Sequence, residues 1–363
     1  RNKHRFEAMW PLPYGVSYNS YLIDDEMVAL VDTVDICYFE VYLRKIKQVI
    51  GERPINYLII NHMEPDHSGS IRLIKQHYPE IIIVGNKQTF GMIEGFYGVT
   101  GEQYLVKEGD FLALGHHKLR FYMTPMVHWP ETMMTFDETD GVLFSGDGFG
   151  CFGTVDGGFL DTRINVDKYW GEMVRYYSNI VGKYGSPVQK ALQKLGGLPI
   201  SAICSTHGPV WTENIAKVIG IYDRLSRYDA DEGVVIAYGS MYGNTEQMAE
   251  AIAEELSAQG VKNIVMHNVT KSHPSYIIAD IFRYKGLIIG SPTYSNQIFP
   301  EVEALLSKIL LREVKGRYLG YFGSFTWAGA AVKRLAEFAE KSKFELVGDP
   351  VEMKQAMKDL TYT

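Results

Sequence analysis

Residues 61–70 read NHMEPDHSGS and place His62, Glu64, Asp66 and His67 within six positions, directly after the apolar run INYLII. A strand that ends there and releases two imidazoles and two carboxylates into a short turn is suited to holding metal. Such groups are costly to bury unless something cationic satisfies them, and two Fe, Mn or Zn ions would do so. A solvated polar turn rarely mixes imidazole and carboxylate this densely. Three more residues of ligating type follow apolar runs: His128 after FYMTPMV, Asp147 after VLFSG and His207 after SAICST. Each is a strand end releasing one polar side chain beside Gly, Pro or Ser, as a rigid scaffold presents a site on its loops. Taken singly, each reads more readily as a cap or a surface residue. With the first turn they make a set of four imidazoles and three carboxylates.

A second constellation lies beyond Gly233. Apolar runs VVIAY (234–238), NIVMHN (263–268), GLIIG (286–290) and RYLGYFG (317–323) alternate with amphipathic stretches at 246–258, 275–282, 300–310 and 330–341. Continuous apolar strands separated by helices predict a parallel sheet covered on both faces. The first strand runs into GSMYGNTEQMA, where Ser240, Met241, Tyr242, Gly243, Asn244 and Thr245 offer hydroxyls and backbone N–H groups at a helix N-terminus. That cradles a phosphate without any lysine. It suits a small enclosed phosphomonoester better than a nucleoside triphosphate, and no Walker A pattern is present. Two further loops leave carboxyl ends of strands, where ligands bind in such sheets. One holds Pro292, Thr293, Tyr294 and Asn296; the other holds Ser324, Phe325, Trp327, Ala328 and Gly329. Each carries one aromatic, Tyr294 or Trp327, amid small polar residues. A flat ring held between these loops with its phosphate in the first describes FMN; simple packing roles for the two aromatics are the plainer alternative.

The elements that must position the first constellation are mixed. Residues 18–33 alternate as a hairpin turning at Asp24-Asp25-Glu26, followed by a helix at about 38–50 and a strand at 55–60. After the ligand turn come a helix from Ile71, a strand at 81–84 and a helix at 89–96. From Tyr104 to Ser145 the pattern changes to hairpins turning at Gly115-His116 and Asp140-Gly141. Helices mixed with hairpins, without regular βαβ alternation, point to layered sheets with helices outside. Gly148 to Gly153 spells GxGxxG, but no amphipathic helix opens from it, so it reads as flexible backbone passing the metal site rather than a dinucleotide fingerprint. Tyr169, Trp170, Tyr176 and Tyr177 read as core. The charged, Gly-terminated run DRLSRYDADEG marks the boundary between a domain at 1–230 and one at 231–363.

Composition bounds the rest. A chain of 363 residues, 46% hydrophobic and 22% charged, is an ordinary globular protein of about two domains. A net charge of −7 argues against nucleic acid or an anionic membrane as partner. No apolar run approaches the ~20 residues of a membrane span, and the basic start has no apolar signal core. Cys37, Cys151 and Cys204 lie far apart with no CxxC, which excludes an internal rubredoxin or Cys-ligated cluster and fits a reducing cytoplasm.

The order HxxxDH, H, D, H resembles the metallo-β-lactamase superfamily, whose usual first motif is HxHxDH; here Glu64 stands in the third position. A carboxylate in place of an imidazole hardens that metal position and favours iron over zinc. Seven donors suit two ions if Asp147 bridges, with His62, Glu64 and His128 on one and Asp66, His67 and His207 on the other. The second half resembles flavodoxin, with SxxxNT and both ring-contacting loops in place. The whole chain is thus similar to the flavodiiron proteins, which implies an αβ/βα lactamase-like sandwich followed by a flavodoxin-like doubly wound sheet.

The resemblance further implies FMN and two irons as cofactors, and reduction of dioxygen to water or of nitric oxide to nitrous oxide. It also implies a head-to-tail homodimer, or a dimer of dimers, with the flavin of one subunit against the irons of the other. Two departures stand out. The segment before Tyr18, WPLPYGVS, lacks the His-containing and Arg-Gly-Thr-Thr stretch of many relatives. The sequence ends soon after Met357, without an appended rubredoxin or reductase module. Electrons are therefore expected from a separate protein such as rubredoxin. The rival expectation is a zinc metallohydrolase of the lactamase or glyoxalase type fused to a flavodoxin.

Overall fold

The computed structural model describes residues 5–357. Within these it divides into two compact units, one of residues 5–176 and 184–223, the other of 177–183 and 224–357.

The first unit is built on two five-stranded sheets. One takes its strands in the order Tyr21–Ile23, Ala29–Val31, Tyr57–Ile59, Ile82–Gly85 and Gln103–Leu105, antiparallel at the first pairing and parallel thereafter. The other runs Ala202–Ser205, Val142–Gly146, Met133–Asp137, Lys118–Met123 and Phe111–Ala113, with only its first pair parallel. Period-two alternation decides which side chains go where. Leu58 and Ile60 face out, into a cluster with Phe39, Ile46, Ile71, Ile74 and Phe90 of the covering helices Phe39–Ile50, Ile71–His77 and Lys87–Tyr97. Ile59, Val31 and Val84 face in, against Leu119, Phe121, Met133 and Phe144 of the second sheet.

The helix Lys87–Tyr97 shows how local chemistry fixes the ends. The Asn86 side chain accepts from the N–H groups of Gln88 and Thr89, and Gly98 turns the chain left-handed at the far end. Phe121 is fully buried between the sheets. Phe121→Ala is expected to cost the first unit about 3–5 kcal/mol, read as a lowered denaturant midpoint with unchanged slope.

The second unit is a parallel sheet ordered Ile264–Asn268, Asp231–Tyr238, Tyr284–Tyr294, Tyr318–Phe325 and Glu345–Leu346, with helices Asn244–Ala258, Pro274–Arg283, Pro300–Arg312 and Ala331–Ser342. Strand order reverses beside Asp231–Tyr238, the switch point where ligands settle in doubly wound sheets. Two features were not legible in the sequence. The third strand runs on through Tyr294 and pairs back with Gln297–Ile298, so the expected loop is a hairpin turning on Ser295 and Asn296, both at positive φ. Arg317 is buried, its guanidinium donating to the carbonyls of Ile281, Phe282, Tyr228 and Lys315. Burial pulls its pKa down to about 10.

Residues 177–183 belong to this unit too. Tyr177 packs on Phe282 with ring centroids 6.3 Å apart, and Asn179 donates to the Ser275 carbonyl at 3.0 Å.

Candidate metal and flavin sites

The seven donors of the sequence reading meet at one end of the two facing sheets. His62 and Glu64 follow Tyr57–Ile59; Asp66 and His67 sit on the helical turn Pro65–Ser68 that Glu64 precedes; Asp147 and His207 follow Val142–Gly146 and Ala202–Ser205. His128 lies in the connection after Lys118–Met123. Those three strands of the second sheet run in the same sense, so all three emit their ligating residues at one edge.

The turn is held rigid from behind. The buried Asp32 carboxylate accepts from the N–H of Asn61 at 2.8 Å and of His62 at 3.2 Å, and burial raises its pKa to about 6. Thr33 N donates to the His67 carbonyl at 2.8 Å, and Ser68 Oγ to the Met63 carbonyl at 2.7 Å. Asn61 reaches the second sheet, accepting from Thr135 Oγ1 at 2.8 Å and donating to the Phe144 carbonyl at 3.2 Å.

The donors form two groups, His62–Glu64–His128–Asp147 and Asp66–His67–His207. In the first, Glu64 Oε2 lies 3.4 Å from His62 Nε2 and 3.2 Å from His128 Nε2, while Asp147 Oδ2 lies 3.7 and 3.2 Å from the same two nitrogens. In the second, Asp66 Oδ2 is 3.2 and 3.3 Å from the Nε2 atoms of His67 and His207, which are 3.0 Å apart. Asp147 Oδ1 faces this second group, 3.0 Å from His67 Nε2 and 3.7 Å from His207 Nε2. One carboxylate thus turns one oxygen to each group.

Donors around a common ion at ~2.0–2.2 Å stand ~3.3–3.6 Å apart in a tetrahedral arrangement, and the spacing in both groups is close to this. Both oxygens of Asp66 and the Nδ1 of His67 are buried without a hydrogen-bond partner. Buried carboxylate oxygens left bare call for a cation. Oxygen and imidazole donors without thiolate suit iron, manganese or zinc.

The electrostatics agree. Burial alone would discharge these groups, but mutual pairing outweighs it. Hydrogen bonds to Glu131 and Glu64, with the Asp147 charge, lift the His62 imidazole to about 10. His128, bonded to Asp147 and Glu64, rises to about 9, and both imidazoles in turn hold Glu64 at about 2. Asp66 and Asp147 lie below the usual carboxylate range, against burial, chiefly through the His67 charge.

Several residues around the donors escaped the sequence reading. Glu131, fully buried, hydrogen-bonds His62 Nδ1 at 2.9 Å; the run HWPE, with a carboxylate three residues after His128, was the available signal. The Ser17 carbonyl accepts from His207 Nδ1 at 2.7 Å. Tyr176, taken as core, is core, yet its ring lies 5.6 Å from His207, and burial together with the Asp147 charge keeps its phenol protonated. The amino-terminal hairpin brings the Phe6 ring to 5.2 Å from that of His207. Its turn residue Glu7 is pushed up to about 8 by partial burial and the neighbouring Glu64 charge. The Gly148–Gly153 run is buried and turns immediately after Asp147, with Gly150 N donating to the Asp147 carbonyl at 3.1 Å and no helix opening from it. His117, Asp137 and Asp140 form another cluster, but there the His117–Asp137 hydrogen bond at 2.8 Å accounts for the arrangement.

In the second unit the three loops lie at the carboxyl ends of adjacent strands. Gly243, at φ +92°, opens the helix Asn244–Ala258, and its N–H donates to Ser240 Oγ at 3.1 Å. Thr245 Oγ1 and Ser324 Oγ are 2.9 Å apart and buried. Thr293 Oγ1 accepts from the N–H groups of Ala330 and Ala331 at 3.0 and 3.1 Å, tying the hairpin to the loop that carries Trp327. Above this frame Tyr242, Trp327 and Tyr294 are 90%, 82% and 47% exposed. A phosphate cradle with uncovered aromatics on the flanking loops fits a phosphorylated flat ring.

Comparison with known proteins places both halves. Residues 16–208 match the ODP family beta lactamase and residues 236–362 match flavodoxin. The anaerobic nitric oxide reductase flavorubredoxin of Vibrio vulnificus is 33% identical over 336 residues, covering 91% of this chain and 68% of the relative. Among solved structures, rubredoxin oxygen:oxidoreductase from Desulfovibrio gigas superposes with a TM-score of 0.95 at 31% identity, covering 99% of this chain and 91% of that one. The flavodiiron protein from Giardia intestinalis gives a TM-score of 0.95 at 27% identity, covering 99% and 89%. With the lactamase-like half, the flavodoxin half and their order all shared across nearly the full length, the chain belongs to the flavodiiron protein family.

Proposed function

We propose that this protein reduces dioxygen to water, nitric oxide to nitrous oxide, or both, at a pair of irons, with electrons reaching them through FMN from a separate carrier such as rubredoxin. The observation that carries this reading is the Asp147 carboxylate with one oxygen turned to each group of donors. That arrangement suits two ions held close enough to act on one small molecule. The family placement supplies the rest: FMN and two irons are the cofactors of this chain. When bound, FMN would supply a one-electron relay and the two irons a site for reducing the gas.

The chain's own residues have narrower tasks. His62, Glu64 and His128 would hold one ion and Asp66, His67 and His207 the other, with Asp147 between them. Ser17 and Glu131 fix two imidazoles with Nε2 inward. Phe6, Trp129 and Tyr176 pack apolar rings against the imidazoles of His207 and His62 and limit water there. Ser240 to Thr245 would take the FMN phosphate, with Pro292, Thr293, Tyr294 and Asn296 along one side of the ring and Ser324, Phe325, Trp327, Ala328 and Gly329 along the other.

The functional unit we propose is a head-to-tail homodimer, each subunit carrying a metal half, residues 1–230, and a flavin half, residues 231–363, to which residues 177–183 also belong. The relatives that support this reading are named as oxidoreductases, and none of them favours the zinc hydrolase alternative. Anaerobic turnover of iron-loaded, FMN-replete protein with reduced rubredoxin and each gas tests the proposal. Consumption of at least one gas is expected; consumption of neither overturns it.

A further inference from the structure

Three of the four imidazoles differ in what stands behind them. His207 Nδ1 rests on a neutral carbonyl, that of Ser17, at 2.7 Å. His67 Nδ1 is buried without a partner. His62 Nδ1 rests on a carboxylate, that of Glu131, at 2.9 Å. The same Glu131 oxygen, Oε1, also accepts from the Met63 N–H at 2.8 Å. Its other oxygen, Oε2, is buried without a hydrogen-bond partner.

A hydrogen-bonding tie between the two elements would need only one acceptor oxygen, which a glutamine amide supplies equally well. Glutamate adds a second, bare, buried oxygen and a charge, and both are costly to desolvate. Such a cost is offset where the charge acts on a cation close by. Here the route is one imidazole long: Glu131 Oε1 to His62 Nδ1, then across the ring to Nε2 among Glu64, His128 and Asp147. A carboxylate behind a ligating imidazole fixes its tautomer and raises its basicity.

We infer that Glu131 is a positioning residue that acts through His62 to make the two metal positions unequal, favouring the more highly charged ion at the position of His62, Glu64 and His128. Each group has one terminal carboxylate and two imidazoles and shares Asp147, so the ligand types are balanced. The imbalance comes from behind the ligands, a carboxylate at His62 against a carbonyl at His207. With iron in both positions, the ion held by His62, Glu64 and His128 would then be the harder to reduce of the two. The inference rests on the two-metal reading above.

The test compares Glu131→Gln and Glu131→Ala with the parent protein. Co²⁺ titration of the metal-free protein, followed by d–d absorption, reads the two positions without any turnover. The parent is expected to bind two ions. Glu131→Gln keeps both hydrogen bonds and is expected to bind two, with affinity at one position down about tenfold; Glu131→Ala is expected to lose about 10–100-fold there. Redox titration of the iron-loaded proteins by EPR is expected to show a narrower mixed-valence interval in Glu131→Gln than in the parent. Unchanged Co²⁺ affinity and an unchanged interval in Glu131→Gln overturn the inference and leave Glu131 as a tie. A parent protein that binds fewer than two ions overturns the two-metal reading instead, and this inference falls with it.

Discussion

Asp147→Asn is expected to reduce gas consumption by about a thousandfold or more and to lower the metal content from two ions to one, while FMN content stays as in the parent. The substitution keeps size and shape but exchanges one carboxylate oxygen for an amide nitrogen that cannot ligate. Because each oxygen of Asp147 serves a different group of donors, one group loses a donor whichever way the amide turns. Its neutralising charge goes as well, leaving His67 and His128 without their nearest shared anion. Losing one of two metals that act together removes several kcal/mol of stabilisation from the reaction, which sets the size of the expected drop. Elemental analysis with flavin absorbance measures both contents on one sample. Two ions retained with undiminished turnover would show that Asp147 does not lie between them.

Removing the aromatics over the phosphate cradle is expected to have the second large effect. Stacking a flat ring on an aromatic side chain is worth ~1–3 kcal/mol, so Trp327→Ala and Tyr294→Ala should each weaken FMN binding by about 10–100-fold. Trp327 is 82% exposed and Tyr294 half-exposed, so neither change removes a buried side chain and the fold is expected to stand. Quenching of FMN fluorescence on titration into flavin-free protein gives the affinity directly. If the double variant binds FMN as the parent does, the exposed rings serve something other than the flavin.

How much of this was legible in the sequence depends on how local each cause is. The second unit was readable almost element by element, because a strand covered on both faces is apolar throughout and its helices carry their own periodicity. The seven candidate ligands were readable as such because strand ends and dense imidazole–carboxylate spacing are local patterns. Their division around Asp147 came only with the family's pattern, and the two orientations of that carboxylate only with the structure.

What was not legible is what acts at a distance. Glu131 and Asp32 are single carboxylates, 69 and 30 residues from His62; the run HWPE ties Glu131 only to His128, and nothing local sets either carboxylate behind His62. Tyr176 carries the same apolar signature as its neighbour Tyr177, yet the first lies beside His207 and the second against Phe282 in the other unit. The hairpin in place of the loop at Ser295 and Asn296 depends on two left-handed residues of which neither is glycine, and the usual turn signal was therefore missing.

The short excursion at residues 177–183 bears on how this chain can be taken apart. Those residues leave the metal-binding half, lay Tyr177 and the backbone of Gly182 against the Phe282 ring, and return. The flavin half is therefore not a cassette that begins at the charged run near Asp229. A gene fragment cut there leaves behind a strip of its own lining, and Phe282 would face water. Exchanging this half intact requires that residues 177–183 be carried along with residues 224 onward.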